Sequence, residues 1–206
     1  MHAIVTGSER GIGKAIAREL CKRGHYYYGF SRFNDVDVSD PEIVRKAFDE
    51  LERFPPEALI NNAGVVEMGG VLELTPEAWR RQFAVNLDGV FYCTREYVRI
   101  AKERGGKIIN IASTAGLGPR PGRSAYSASK AAVINFSLSM SEELRPYGIK
   151  VYCVAPGACA TDMRRIIAPD DDFETMMKPE DLAQFVVDLV EGGDVLDGQV
   201  IQVRRP

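Results

Sequence analysis

The sequence predicts an α/β fold in which a mostly parallel sheet of six or seven strands is doubly wound, with helices on both faces. Apolar strand-like runs alternate with helix-like stretches along the chain, which is the pattern of successive β-α-β units. The length of 206 residues suits one domain or two small ones, and no internal repeat or Ser/Gly-rich linker divides it. We therefore expect a single domain over residues 1–206.

Apolar runs, helix caps and turn residues set the expected element boundaries. Strands are expected at residues 3–6, 26–30, 58–61, 107–112, 151–155 and 199–203. Helices are expected at residues 11–24, after a capping box at Ser39–Glu42, after the Thr75–Pro76–Glu77 cap, between 83 and 101, at 125–145 and at 179–190.

One connection is too short for the regular pattern. Only four residues, Phe33 to Val36, separate Arg32 from Asp37. A parallel crossover needs about a dozen residues, and four extended residues reach only ~14 Å. The strand expected after residues 26–30 is therefore predicted to be shortened or missing.

Composition excludes several classes of protein. With 45% hydrophobic and 27% charged residues the chain is neither disordered nor fibrous. A formal net charge of −3 provides no overall electrostatic attraction to nucleic acid or anionic lipid. The apolar runs are shorter than the ~20 residues that a membrane span needs. The N-terminus lacks a signal-peptide pattern. We expect a cytoplasmic protein with no nucleic-acid or membrane partner.

The cysteines do not suggest a metal site. Their spacing fits no ligand pattern, and a chain of this length does not need disulfides, so free thiols are expected at Cys21, Cys93, Cys153 and Cys159.

A glycine-rich turn, Thr6–Gly13, joins the first strand to the first helix. Backbone N–H groups and the helix dipole create an anion site at such a turn, and a diphosphate would fit there. The spacing is GxxxGxG rather than GxGxxG, and a plain turn without a ligand is the alternative. The cofactor-binding residues predicted here are Gly7, Ser8, Arg10, Gly11, Ile12 and Gly13.

The end of the second strand bears on the choice of cofactor. It carries Ser31 and Arg32 and no acid, whereas a cofactor without a 2′-phosphate is usually held there by Asp or Glu. The guanidinium of Arg32 suits a phosphate, so NADP(H) is favoured over NAD(H). Arg32 could instead be a solvated residue at the strand end, or it could pair with Asp35. In either case an NAD-dependent enzyme is the alternative.

Several polar motifs follow strand ends. Tyr126 and Lys130 are four residues apart in a helical stretch and so lie on one face. Ser113 follows one strand, Asn61–Gly64 the preceding strand and Pro156–Gly157 the following one. Because open α/β sheets bind ligands at the carboxyl edge of their strands, four strand ends should converge on one crevice.

Together these motifs resemble a short-chain dehydrogenase/reductase of the ordinary, non-extended type over nearly the whole chain. The resemblance implies a Rossmann-type fold with Tyr126 as acid/base, Ser113 binding the substrate oxygen, Lys130 holding the nicotinamide ribose and acidifying Tyr126, and Asn86 anchoring a proton-relay water. It further implies cofactor contacts from Asp37, Val38, Asn62, Ala63, Gly64, Pro156, Gly157 and Thr161.

Electrostatics independently supports the role of Lys130. A free phenol has a pKa near 10, and lowering it by ~3 units takes about 4 kcal/mol. A cation ~4 Å away supplies about that much at an effective dielectric near 20. The sequence thus predicts an NADP(H)-dependent oxidoreductase acting on a carbonyl or alcohol substrate. A dinucleotide-sensing binding protein without turnover is the alternative.

The remaining features are less specific. Arg120 and Arg123 are interpreted as ordinary loop arginines, with contact to an acidic substrate group as the alternative.

By resemblance only, a homodimer or homotetramer is expected through helices at about 83–104 and 125–146 and the last strand. The stretch 162–178 should form a short lid whose apolar residues either face the substrate or cap the core: Met163, Ile166, Ile167, Phe173, Met176 and Met177.

Overall fold

Six parallel strands form one sheet in the computed structural model, which describes residues 1–192 and 194–205. The strands are β1 (His2–Thr6), β2 (Tyr26–Phe30), β3 (Ala58–Asn61), β4 (Gly106–Ile111), β5 (Ile149–Pro156) and β6 (Val200–Val203), in the spatial order β2-β1-β3-β4-β5-β6. The α/β class with a parallel sheet is confirmed.

Helices cover both faces of this sheet. They are α1 (Gly11–Lys22), α2 (Pro41–Asp49), α3 (Pro76–Phe83), α4 (Gly89–Ala101), α5 (Ser124–Glu143), α6 (Asp162–Ile167) and α7 (Pro179–Glu191), and a π-helical turn at Ala84–Asp88 joins α3 to α4. Within the described residues, no helix is both long and apolar enough to cross a membrane.

Strand β1 shows why the sheet is buried on both sides. Ala3, Ile4 and Val5 are all fully buried. Successive side chains of a strand point to opposite faces. Ala3 and Val5 accordingly enter the core beneath α1 and α7, while Ile4 enters the core beneath α2 and α4. A continuous apolar run is therefore what such a central strand requires.

The missing strand is confirmed. After β2 the chain makes a 3-10 turn at Arg32–Asn34, passes through Asp35 in the left-handed region (φ 56°) and enters α2 without forming a strand. The next strand, β3, pairs with the other side of β1, so β2 remains at the edge of the sheet.

The predicted start of α2 was wrong by one residue. The N-cap is Asp40, whose carboxylate accepts hydrogen bonds from the backbone N–H groups of Glu42 (2.9 Å) and Ile43 (3.1 Å). The hydroxyl of Ser39 instead donates to Asp37 at 2.7 Å. An Asp is as good a cap as a Ser, and Pro41 then occupies the first helical position.

Buried polar side chains fix α5 against the middle of the sheet. The amide of Asn61 donates to Asn110 (2.9 Å), and that of Asn110 donates to the hydroxyl of Ser137 (2.9 Å), which joins β3, β4 and α5. Buried polar groups of this kind favour one arrangement because any shift leaves them unpaired. The network therefore helps to set where the catalytic candidates on α5 lie over the sheet. The four cysteines are free thiols, as expected.

Candidate active site

A cavity of about 910 Å³ lies at the carboxyl edge of the sheet. The segments that follow β1, β3, β4 and β5 all line it, which places the predicted crevice where those four strands end. Its volume is near the upper end of the ~300–1,000 Å³ that is usual for ligand sites.

The glycine-rich turn is locked to the end of β3. The amide of Asn62 donates to the carbonyls of Thr6 (2.9 Å) and Gly7 (3.3 Å), while its backbone N–H donates to the hydroxyl of Thr6 (2.9 Å). A Cβ at Gly13 would collide with the carbonyl oxygen of Gly7. Only glycine lets α1 start this close to the turn, so Gly13 shapes the turn from behind the cavity wall.

The far end of the cavity carries a mixed set of charges. Arg32 is 75% exposed, and its Nε lies 3.5 Å from the carboxylate of Asp37. Burial raises the pKa of Asp37, but hydrogen bonds from Ser39 and the charge of Arg32 outweigh it and hold that pKa below its usual value. The acid that competes for Arg32 is thus Asp37 rather than Asp35. Arg81, which the sequence did not single out, also lines this end.

Tyr126 and Lys130 lie on one face of α5 and are almost completely buried, at 8% and 4% exposure. The ammonium of Lys130 donates to the carbonyl of Ile111 at 2.8 Å. Burial lowers the pKa of Lys130 to about 8 because the charged form loses its hydration.

The phenol of Tyr126 departs from expectation. Burial raises its pKa, and neither the hydroxyl of Ser113 nor the charge of Arg123, which both act in the opposite direction, reverses this. The direction is opposite to the acidification by Lys130 that the resemblance implied, because desolvation of the phenolate dominates. In the protein alone Tyr126 is therefore a protonated phenol at neutral pH.

The loop that carries Ser113 packs tightly on α5. Ser113 begins the 3-10 turn Thr114–Leu117, and its hydroxyl accepts from the N–H of Ala115 at 3.1 Å. A Cβ at Gly116 would lie 2.7 Å from the backbone of Lys130. Any larger residue would push this loop, and Ser113 with it, away from the helix.

Asn86 supports the wall without facing the cavity. It lies in the π-helical turn and is fully buried. Its Oδ1 accepts from the N–H of Val65 (2.8 Å), and its Nδ2 donates to the carbonyl of Val65 (2.9 Å) and to Ser129 (3.1 Å). The side chain thus holds the backbone after Gly64 beside α5, and both of its amide protons are used.

The lid residues divide between two surroundings. Met163 and Ile167 line the cavity, whereas Met177 is buried in the core beneath α1 and α7. Ile166 is 67% exposed, and Phe173 packs under the guanidinium of Arg165. Both interpretations of this stretch therefore apply, each to different residues.

Arg120 and Arg123 are not ordinary surface arginines. Both line the cavity, together with Arg164 of α6. The sequence offered no signal that would separate them from other loop arginines, because their placement depends on how the 113–126 loop folds over the sheet edge.

Most of the predicted site residues lie on the wall of this one cavity, and three lie behind it. Ser8 is buried with its hydroxyl directed to Glu9, and it joins Gly13 and Asn86 in the second group. The residues on the wall are Gly7, Arg10, Gly11, Ile12, Ser31, Arg32, Asp37, Val38, Asn62, Ala63, Gly64, Ser113, Tyr126, Lys130, Pro156, Gly157 and Thr161. Over the part of the chain that the structure describes, no group of three or more His, Cys, Asp or Glu side chains is placed to hold a metal ion.

Comparison with known proteins identifies the family. The family model for short chain dehydrogenase matches residues 30–172. The chain belongs to the short-chain dehydrogenase family. It is 36% identical over 185 residues to the 2,3-dihydro-2,3-dihydroxybenzoate dehydrogenase of Escherichia coli strain K12, an alignment that covers 82% of this chain and 74% of that protein.

Two further relatives agree with this assignment. A 3-oxoacyl-(acyl-carrier-protein) reductase of Haemophilus influenzae is 32% identical over 188 residues, which cover 82% of this short-chain dehydrogenase and 78% of the relative. A crystal structure of a candidate NAD(P)-dependent gluconate 5-dehydrogenase from Beutenbergia cavernae, with NADP bound at low occupancy, superimposes with a TM-score of 0.90 at 26% identity, covering 98% of this chain and 94% of that one. The chain is accordingly an oxidoreductase of this family.

We expect Lys130→Met to change how stability depends on pH. The pKa of Lys130 is about 8 in the folded protein against 10.5 for an exposed lysine. Between these two values the unfolded chain therefore binds more protons than the folded protein does. The free-energy cost of burying the charged Lys130 is largest below pH 8 and decreases as the pH rises towards 10.5. Between pH 7 and 9 the wild type should gain about 1 kcal/mol of unfolding free energy relative to Lys130→Met, measured by urea unfolding at each pH.

The exposed Lys102 provides the matched control for this experiment. The difference between wild type and Lys102→Met should stay constant over the same range. A constant difference for Lys130→Met as well would contradict the burial of a charged Lys130.

Proposed function

We propose that this short-chain dehydrogenase is an NADP(H)-dependent carbonyl reductase or alcohol dehydrogenase, with residues 1–206 acting as one dinucleotide-binding and catalytic domain. The observation that carries the proposal is the convergence of Ser113, Tyr126 and Lys130 on the same cavity as the glycine-rich turn. One group of residues can donate a proton there, and the other can bind a diphosphate.

The cavity suits a dinucleotide. Gly7, directly after β1, and Gly11, the first residue of α1, both have positive φ. The turn between them leads into the amino end of the helix, where backbone N–H groups favour an anion. A Cβ at Gly64 would lie 3.4 Å from Asn86 and 3.7 Å from Lys130, so glycine keeps the wall open in front of the lysine. Lys130 would hold the ribose of the nicotinamide half, and Thr161 would contact the carboxamide.

Bound NADPH would supply the hydride that reduces a carbonyl carbon. Tyr126 would donate its proton to the carbonyl oxygen as negative charge develops there, and the resulting phenolate would be reprotonated from solvent. Because Tyr126 is protonated in the protein alone, it is in the state needed to act as the acid. The charges of Lys130 and Arg123 would stabilise the phenolate that remains.

Ser113 and Asn86 would contribute by positioning other groups rather than by supplying a charge. The hydroxyl of Ser113 would donate to the same substrate oxygen and keep it within reach of Tyr126. Asn86 would be a positioning residue, since its side chain fixes the wall at Val65 and contacts α5 through Ser129. A proton-relay water could not accept a hydrogen bond from the side chain of Asn86, because both of its amide protons are already used.

The preference for NADP(H) is supported by cations at the far end of the cavity. Arg10, Arg32 and Arg81 line it against the carboxylates of Glu9 and Asp37. The guanidinium of the exposed Arg32 side chain can turn from Asp37 to a 2′-phosphate, which carries more charge. NAD(H) is the alternative, in which Asp37 keeps Arg32.

The substrate proposed is a small carbonyl or alcohol compound. The names of the two relatives indicate oxidation of a dihydroxy compound by one and reduction of a 3-oxoacyl group on a carrier protein by the other. We also propose a homodimer or homotetramer formed through α4 and α5. Phe91 of α4 and Leu138 of α5 are 44% and 37% exposed, and Phe91 lies edge-on to Phe136 of α5 (6.4 Å between ring centroids). Apolar side chains shared by two neighbouring helices suit a partner surface.

Tyr126→Phe should abolish most of the turnover. Losing the proton donor is expected to lower kcat about 10²- to 10⁴-fold on a panel of aldehydes and ketones, while the Kd for NADPH stays within about twofold. Tyr147→Phe, which alters a 45% exposed tyrosine, is the control and should be as active as the wild type. NADPH binding by the wild type with no consumption on any compound would support the dinucleotide-sensing alternative.

Arg32→Ala should weaken NADPH binding selectively. We expect the Kd for NADPH to rise about tenfold with little change for NADH, because only NADPH carries the phosphate that Arg32 would bind. Arg145→Ala removes an exposed arginine that pairs with Glu142, and it should change neither affinity. An unchanged NADPH/NADH affinity ratio in Arg32→Ala would rule out this basis for the preference.

A further inference from the structure

The backbone of Arg123 is fixed at the entrance to α5. Its N–H donates to the carbonyl of Arg120 (3.1 Å), and its carbonyl accepts from the N–H of Ser127 (2.8 Å). It also forms an isolated bridge with Gly69. The residue is therefore held on the cavity wall only three positions before Tyr126.

The guanidinium of Arg123 is partly buried, and one of its buried donors lacks a hydrogen-bond partner among the described residues. Its Nε is buried and has no hydrogen-bond partner within residues 1–192 and 194–205. Such a donor is costly, more so on a charged group. Burial lowers the pKa of Arg123, and the neighbouring charges of Arg164 and Arg120 lower it further.

Asp171, the carboxylate whose charge influences Arg123, is already paired with Arg164. Asp171 accepts from the Nε of Arg164 at 2.7 Å and from a second nitrogen of the same guanidinium. Among the described residues, the guanidinium of Arg120 donates only to the carbonyl of its neighbour Pro119, at 2.9 Å. Three guanidinium groups, those of Arg120, Arg123 and Arg164, therefore line the cavity here. Among the described residues, the carboxylate that influences Arg123 is the paired Asp171, and Asp162 of α6 also lines the cavity.

The helix adds to this positive field. Arg123 is the N-cap of α5, which is 20 residues long and has no acidic residue in its first turn. The amino end of a helix carries a partial positive charge, and here no side chain of the first turn neutralises it.

We propose that Arg123, supported by Arg164 and Arg120, binds an oxyanion on the substrate, so that the enzyme acts on carbonyl or hydroxyl compounds that also carry a carboxylate or phosphate. The inference rests on the proposed function, since it places this anion at the substrate end beside Tyr126. A planar guanidinium binds either group through paired hydrogen bonds. The acidic group would satisfy the buried Nε and hold the reacting carbon at a set distance from the phenol.

Pairs of carbonyl compounds that differ only in the charged group provide the first test. We suggest acetoacetate with methyl acetoacetate, 4-carboxybenzaldehyde with its methyl ester, and dihydroxyacetone phosphate with dihydroxyacetone, assayed by NADPH consumption. Wild type should favour the anionic member of at least one pair, and Arg123→Gln should lower kcat/KM for that member about 10- to 100-fold more than for its neutral counterpart. The ratio cancels any general effect of Arg123 on the acidity of Tyr126. The carboxylate and phosphate pairs distinguish the two sources of the anion.

Binding without turnover provides the second test. The same six compounds are titrated calorimetrically into the protein with NADP⁺, which cannot reduce them. An anionic compound should bind the wild type about 10-fold or more tightly than it binds Arg123→Gln, and Arg123→Lys should restore part of the affinity. Arg165→Gln is the matched control, because it removes a charge from the same lid at a side chain that stacks on Phe173 outside the cavity.

The outcomes separate the two proposals. If an anionic compound binds in a way that depends on Arg123 but no compound causes NADPH consumption, the anion site is supported and the proposed reaction is contradicted. Turnover that is equally affected for both members of every pair, or no saturable binding of any anionic compound at ~10 mM, would overturn the anion site and leave the reductase standing. A matching rise in the Kd for NADPH in Arg123→Gln would also overturn it, since Arg123 would then serve the cofactor. Unchanged circular dichroism and Tm of Arg123→Gln establish that it folds.

Discussion

The desolvation of two ionisable side chains, Tyr126 and Lys130, is the constraint on which this site depends. Neither group forms its charge easily in the buried position that the sheet edge and α5 create. A charge on one is therefore worth most when it compensates a charge on the other or on a bound group. Both groups line the cavity, so a charged molecule that enters it would change how readily each of them ionises.

Close packing of the backbone produces that burial. Gly116 allows the loop after β4 to lie against the backbone of Lys130, and Gly13 allows α1 to start against the turn after β1. Asn62 then joins this turn to the end of β3, and Asn110 joins β4 to α5. Tyr126, Lys130 and the glycine-rich turn thus belong to one connected framework, and a small shift of any helix would separate them.

Sequence alone could predict those parts of the fold that follow local rules. Apolar runs located every strand to within two residues at each end, and the four-residue link after Arg32 was too short for a further strand whatever the tertiary structure. The start of α2 was placed one residue early because Ser39 and Asp40 are both good caps, and only the hydrogen bond from Ser39 to Asp37 decides between them. Motif residues could likewise be assigned to the carboxyl edge of the sheet, where they lie.

The remaining features depend on contacts between distant segments. The sequence could not show that Asp37 rather than Asp35 faces Arg32, since this follows from the left-handed turn at Asp35. It could not distinguish Arg123 from a solvated arginine, because the bridge to Gly69 and the neighbouring Arg164 come from elsewhere in the chain. The direction of the pKa shift of Tyr126 also depends on burial, which a helical spacing of four residues does not reveal.

The most direct measurement is the ionisation of Tyr126 itself, followed by phenolate absorbance near 295 nm as the difference between wild type and Tyr126→Phe. The account predicts a pKa above the ordinary value of about 10 in the protein alone. It predicts a decrease of ~1 unit or more when NADP⁺ is bound, since the oxidised nicotinamide brings a further positive charge to the buried pair. A Tyr126 that ionises at or below pH 10 without the cofactor, or whose ionisation NADP⁺ leaves unchanged, would contradict it.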